Sequence, residues 1–154
     1  MSIYLLALLI GIIAGLRTMT APAAIAWTIY LKGFDLGGSW LTFLGNGWIR
    51  LILTVLALIE LVVDQLPSTP SRTVPVQFGA RILSGALSGA AIGATGGSWV
   101  VGLLVGIVGA VVGTFGGRTF RGKLAAAFAS DRPAALIEDA VAIVGALLIG
   151  VALR

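Results

Sequence analysis

Arg17, Glu60, Asp64, Arg118, Glu138 and Asp139 interrupt or border long apolar runs. An ionisable side chain in hydrocarbon is costly, so it persists where it is paired, faces a cavity or is used. Glu60 and Asp64 are four residues apart and share one helix face. With Glu138 and Asp139 they form an acidic cluster if their two helices meet. Carboxylates in a low-dielectric setting can load and release protons near neutral pH. Oxygen-rich clusters also suit Na⁺, Mg²⁺ or Mn²⁺. The alternative is structural: the acids neutralise Arg17 and Arg118, or cap helix ends.

Arg17 and Arg118 offer the complementary chemistry, because a guanidinium binds carboxylate or phosphate through two parallel hydrogen bonds. Thr18, Thr20 and Thr119 add hydroxyl donors beside them. A helix broken at Arg17 would also present free backbone N–H groups and a positive dipole end to an anion. Against this stands a snorkelling Arg17, or one paired with Glu60. Arg72 lies in the stiff segment from Pro67 to Pro75, which reads as a gate, an anion-binding nest or a plain re-entry turn.

Composition narrows the chemistry. Of 154 residues, 58% are hydrophobic and 10% charged, where a soluble domain carries roughly a quarter charged residues. The mean hydropathy is +1.09. There is no cysteine and no histidine, which removes thiol catalysis, disulfides, and thiolate or imidazole metal sites. The net charge of +4 comes without a basic helix or a basic run with interleaved aromatics, so nucleic acid is not an expected partner. No P-loop, nucleophile elbow or zinc-protease motif is present. Neither an enzyme nor a cofactor is implied.

These properties predict an all-α membrane protein of about five transmembrane helices in a single integral domain. The first apolar segment, Ile3 to about Leu31, reads as a retained helix rather than a signal peptide. Pro22 should break or kink it near Arg17, with Thr18 or Thr20 as N-cap of a second half. A polar connection with Trp40 and Trp48 follows, then helices over about 49–66, 77–94, 99–115 (continuing, broken, to 128) and 131–153. Glycines at every fourth position, Gly85, Gly89, Gly93 and Gly97, and Gly102, Gly106, Gly109 and Gly113 allow close helix packing or a homodimer seam.

Gly15-Leu16-Arg17-Thr18 matches Gly116-Gly117-Arg118-Thr119, and Leu58-Ile59-Glu60 matches Leu136-Ile137-Glu138. This suggests two inverted two-helix repeats, about 3–66 and 98–153, joined by a helix over about 77–95 and interrupted at each G-x-R-T copy. Arg72, Arg81, Arg121, Lys123 and Arg132 fall on one side; Lys32, Arg50 and Arg154 fall on the other. That balance favours a cytoplasmic N-terminus in a bacterial inner membrane.

The order A-G-L-R-T-M-T-A-P at Ala14 to Pro22, E-L-V-V-D-Q-L-P-S-T-P-S-R-T at Glu60 to Thr73, the Arg81 Gly/Ser helix and A-L-I-E-D-A-V-A-I at Ala135 to Ile143 resembles a family of small bacterial integral membrane proteins. It is domain-of-unknown-function family four-one-two-six, and the resemblance covers nearly the whole chain. Gln65 stands where relatives tend to carry a basic residue, and Arg132-Pro133 where they tend to carry Asn-Pro. The resemblance implies the membrane class and the same key residues, and no activity.

Two functions follow as expectations. One is a small transporter or channel in which Arg17, Arg118 and the threonines bind an anionic or polar solute while the acids couple protons or cations. The other is a membrane scaffold or accessory subunit held by Arg–carboxylate pairs. A third reading, a lipid-moving or lipid-modifying protein, requires a lateral groove lined by Arg72, Arg81 and Arg121.

Overall fold

The computed structural model describes residues 2–36, 38–66 and 71–153, which contain no strand. The expected stiff turn at Pro67 to Pro70 lies outside the described residues. Six α-helices are present among them: α1 (Ile3–Leu16), α2 (Thr20–Lys32), α3 (Gly47–Val63), α4 (Pro75–Thr95), α5 (Trp99–Phe128) and α6 (Asp131–Ala152). A 3-10 stretch, Trp40–Gly45, precedes α3. Helices α5 and α6 are each long and apolar enough to cross a membrane.

The first apolar segment breaks at Arg17, as Pro22 implies, and the chain reverses direction there. Ile3 packs on Gly96 at the end of α4, and Gly15 packs on Ala110 and Thr114 of α5. Arg81 reaches the carbonyls of Gly15 and Leu16, so α1 runs antiparallel to α4. Helix α2 then returns along the same α4, from Ser84 beside Thr18 to Ala91, Ile92 and Thr95 beside Ile25, Thr28 and Ile29. Lys32 closes this return on the carbonyls of Val151 and Leu153. The turn is set by Pro22, which has no N–H for the carbonyl of Thr18 and whose ring crowds it. Ser84 Oγ takes that carbonyl instead.

Glycines fuse α1, α4 and α5. A Cβ on Gly106 would overlap the Gly85 carbonyl and stand 3.0 Å from Gly89 Cα. One on Gly15 would stand 2.5 Å from the Thr114 nitrogen. Apart from Gly97, the glycine stripes expected to serve close helix packing or a homodimer seam are therefore used for packing within one chain. This is backbone-to-backbone packing of the kind small residues permit.

Two further expectations are corrected. Helix α5 runs unbroken through Gly116-Gly117-Arg118-Thr119. No proline follows this copy as Pro22 follows the first, and two glycines cost only about 1 kcal/mol each in a helix. The two units also do not share a fold. One begins with a hairpin and the other with a straight helix, and α1 lies parallel to α5, with Gly11 on Gly106 and Gly15 on Ala110. An inverted repeat requires those helices to be antiparallel.

One end of the bundle gathers Ile3, Lys32, Thr95, Trp99 and Leu153; the other gathers Arg17, Val63, Pro75 and Asp131. Helix α3 is peripheral and has no buried residue. Its outer face exposes Leu51, Ile52, Val55, Leu58, Ile59 and Val62, and α5 and α6 likewise expose Leu104, Val108, Val112, Val144, Leu147 and Val151.

Gly106→Ala is expected to destabilise the protein by about 1–3 kcal/mol through overpacking. Gly116→Ala, whose Cβ meets nothing within 4 Å, is expected to stabilise it by about 0.5–1 kcal/mol. Thermal unfolding in detergent, followed by circular dichroism, separates the two.

Candidate functional site

The α1–α2 break leaves helix ends inside the protein. Helix ends carry backbone donors and acceptors with no partner in their own helix. At the carbonyl end, Arg81, 2% exposed, donates from Nη1 to the oxygens of Gly15 (2.7 Å) and Leu16 (2.8 Å). At the amide end, the cap residue is Met19, whose side chain, at best a weak acceptor, makes no capping hydrogen bond. Glu60 of α3 supplies the acceptor: its Oε1 takes the Thr18 N–H at 2.6 Å and its Oε2 the Met19 N–H at 2.7 Å. A cation thus sits at the negative end of α1 and an anion at the positive end of α2.

Arg17, fully buried, occupies the break in extended backbone (φ −138°, ψ 114°). Its guanidinium is shared between Asp64 at the end of α3 and Asp139 of α6. Gln65 Nε2 donates to the other oxygen of Asp139 at 3.0 Å. Glu138, also fully buried, forms a fork-to-fork pair with Arg72, the geometry in which arginine–carboxylate pairs are strongest. A Cβ at Gly117 would stand 2.5 Å from Leu16 Cδ2, 3.0 Å from Arg72 Nη1 and 3.2 Å from Glu138 Oε1, so this glycine makes room for Leu16 and for the pair. Arg121 lies 3.6 Å from Glu138, holds Asp131 at 2.9 and 2.5 Å, and donates to the Asp64 carbonyl at 3.3 Å.

Above this network lies an open cavity of about 280 Å³, lined by Arg72, Arg81, Arg118 and Arg121 together with Asp64, Asp131, Gln77 and Ser71. Among the described residues, Arg81 and Arg118 have no carboxylate within ion-pair distance. Arg81 Nε is buried with no hydrogen-bond partner. The wall therefore carries two guanidinium groups without a carboxylate: Arg118 is exposed to the cavity, while Arg81 is buried and already holds the α1 carbonyls through Nη1. Beneath it α1, α4 and α5 are packed backbone to backbone.

The structure brings Arg17, Glu60, Asp64, Arg72, Glu138 and Asp139 to one place and sets Arg118 on the cavity rim. The expected pairing partner of Arg17 changes: Asp64 and Asp139 hold its side chain, while Glu60 holds the backbone beside it. The acids do not form one cluster, and among the described residues no three of them converge as metal ligands. The threonines do not line the cavity. Thr18 contributes its backbone, Thr20 faces a lateral apolar groove, and exposed Thr119 donates to its own helix at Phe115.

Gln77 and Asp131 were not expected here. Arg72, Arg81 and Arg121, expected together along a groove, do line one cavity.

Arg17→Gln is expected to destabilise the protein by about 3–5 kcal/mol, because it leaves two largely buried carboxylates without their cation. Arg118→Gln should change stability by less than about 0.5 kcal/mol, as an exposed side chain without a partner. Chemical unfolding of both variants in the same detergent measures the contrast.

No family model matches the chain. No curated protein and no solved structure matches it either.

Proposed function

We propose that this is a small multi-pass membrane protein that binds and moves a small anion or anionic polar solute, with the arginine-walled cavity as its entry. The apolar perimeter of α3, α5 and α6 supports the membrane setting, since monomeric soluble proteins rarely expose contiguous apolar faces this large. In that setting α3, α4, α5 and α6 cross, and α1–α2 enters as a re-entrant hairpin. Non-helical backbone at membrane depth is tolerated where protein surrounds it, as Arg81, Ser84 and Glu60 do here.

Fourteen residues of α1 place Arg17 about 21 Å from the end marked by Trp40 and Trp99. That is within a hydrocarbon layer of about 30 Å. The basic residues around the cavity favour the cytoplasmic side for it. The hairpin then puts the N-terminus outside, opposite to the expectation from five simple crossings.

The observation that carries the reading is the pair of carboxylate-free guanidinium groups, Arg81 and Arg118, on one cavity wall. The ion pairs of Arg17 and Arg72 at its floor would then act as the closed gate. A second reading, a scaffold held by structural pairs, draws on the same direct Arg–carboxylate contacts.

Purified protein in liposomes loaded with phosphate, sulfate or chloride tests both. Uptake of at least one anion is expected, reduced on the order of tenfold by Arg118→Gln, the loss of one charged hydrogen-bonding group. Glu60→Gln and Glu138→Gln should alter the flux, since each removes a charge that holds the helix break or Arg72 in place. Flux at the level of empty liposomes for every anion would leave the scaffold standing.

A further inference from the structure

A second concavity lies on the opposite side of the hairpin, where α2, α3 and α6 diverge. Two adjoining hollows of about 180 and 220 Å³ share Ala24, Trp27, Ala146 and Leu147. Together they make one groove running along α2 from Thr20 to Lys32. Its floor is made of small residues, Ala23, Ala24, Ala146 and Gly150, and its lining is almost wholly carbon. The groove opens sideways, because α3 stands off the bundle with no buried residue.

Its far end is chemically different. Lys32 lines it and holds its ammonium over the last carbonyls of α6. Arg50 stacks on the rings of Tyr30 and Trp27, 3.8 and 4.9 Å from their centroids. Trp27 fixes the wall at this point by donating its indole N–H to Thr54 Oγ1 at 2.9 Å. Two cations and two amphipathic rings at one end of an apolar trough match a phosphate headgroup above an acyl chain. The length agrees: twelve helical steps from Thr20 to Lys32 span about 18 Å, close to half a hydrocarbon layer of about 30 Å, which is one leaflet.

We propose that this groove is a binding site for an anionic phospholipid, with one acyl chain lying between α2, α3 and α6 and its phosphate held by Lys32 and Arg50. The proposal rests on the membrane setting argued above and is independent of anion transport. The lipid fills the space under α3 that no described side chain fills. It thereby ties α3, which carries Glu60, to the helix whose first amides Glu60 holds.

The test uses the protein with Trp40, Trp48 and Trp99 replaced by phenylalanine, leaving Trp27 as the fluorophore, in nanodiscs of phosphatidylcholine. Phosphatidylglycerol or phosphatidylcholine brominated on the acyl chain is then titrated in. Brominated phosphatidylglycerol should quench Trp27 at a mole fraction on the order of tenfold lower than brominated phosphatidylcholine, as expected for two basic residues near a headgroup. Lys32→Gln combined with Arg50→Gln should erase that preference while leaving quenching by phosphatidylcholine. Ala24→Leu, at a half-buried position on the groove floor, should reduce quenching by both lipids.

Equal quenching by the two lipids in the parent protein would overturn the proposal. So would a Trp27 shielded from both lipids in particles that contain two copies, which would assign the groove to a second chain. Failure to enter nanodiscs at all would remove the membrane setting itself. An intact preference in a protein that moves no anion would keep the lipid site and remove the transport reading.

Discussion

Two helix ends face each other inside this protein, and their backbone groups must be satisfied where little water reaches. An unpaired buried donor or acceptor costs about 1–3 kcal/mol, and a helix terminus exposes several at once. The chain meets this demand with side chains from elsewhere. Arg81 of α4 takes the carbonyls of α1, Glu60 of α3 takes the first amides at the start of α2, and Ser84 takes the carbonyl that Pro22 leaves free. The break is therefore also the point at which separate helices are joined. Removing Pro22 from the sequence would remove the reason for all three.

The charges around the break are organised by the same logic. Arg17 cannot be buried alone, and it is matched by one carboxylate from α3 and one from α6. Glu138 needs a cation and receives Arg72 from the segment leading into α4. Buried pairs of this kind add little net stability, while breaking one is strongly unfavourable. They act as registration devices: each specifies which helix must stand beside which. For α3 they matter more, because it buries no apolar side chain. Its place is fixed at one end by Glu60 and Asp64 and near the other by the Trp27–Thr54 hydrogen bond. An element held by polar contacts rather than by a packed face can move at lower cost than α1, α4 or α5, whose backbones touch.

Much of this was legible in the sequence, and the errors are specific. Helical content, most element limits and the break at Arg17 followed from hydrophobic run length and from Pro22. Arg17, Glu60, Asp64, Glu138 and Asp139 stood out as charges in or beside apolar runs, and Arg72 as the arginine of the proline-rich segment; paired contacts bring them together. The reversal of α2 was not legible, because a proline states that a helix stops and not where the chain goes next. The repeat misled for a related reason. Gly15-Leu16-Arg17-Thr18 and Gly116-Gly117-Arg118-Thr119 share letters, but only the first is followed by Met-Thr-Ala-Pro. Gly15 serves close backbone packing, whereas Gly117 makes room for the Leu16 side chain and a salt bridge. That Arg118 joins Arg72, Arg81 and Arg121 in one cavity was not legible, because Arg81 and Arg118 stand 37 residues apart and only the antiparallel pairing of α4 and α5 brings them to one end.

The distance along the chain between the break and its partners has a bearing on biogenesis. Leu16 is bonded by a residue 65 positions later, and Arg17 is neutralised in part by Asp139, 122 positions later. A ribosome delivering this polypeptide from its amino terminus releases the hairpin long before the groups that complete it exist. The hairpin must therefore wait for its partners until α4 and then α6 arrive. Within this bundle the order of completion reverses the order of emergence: the hairpin leaves the ribosome before its partners and is completed only by them.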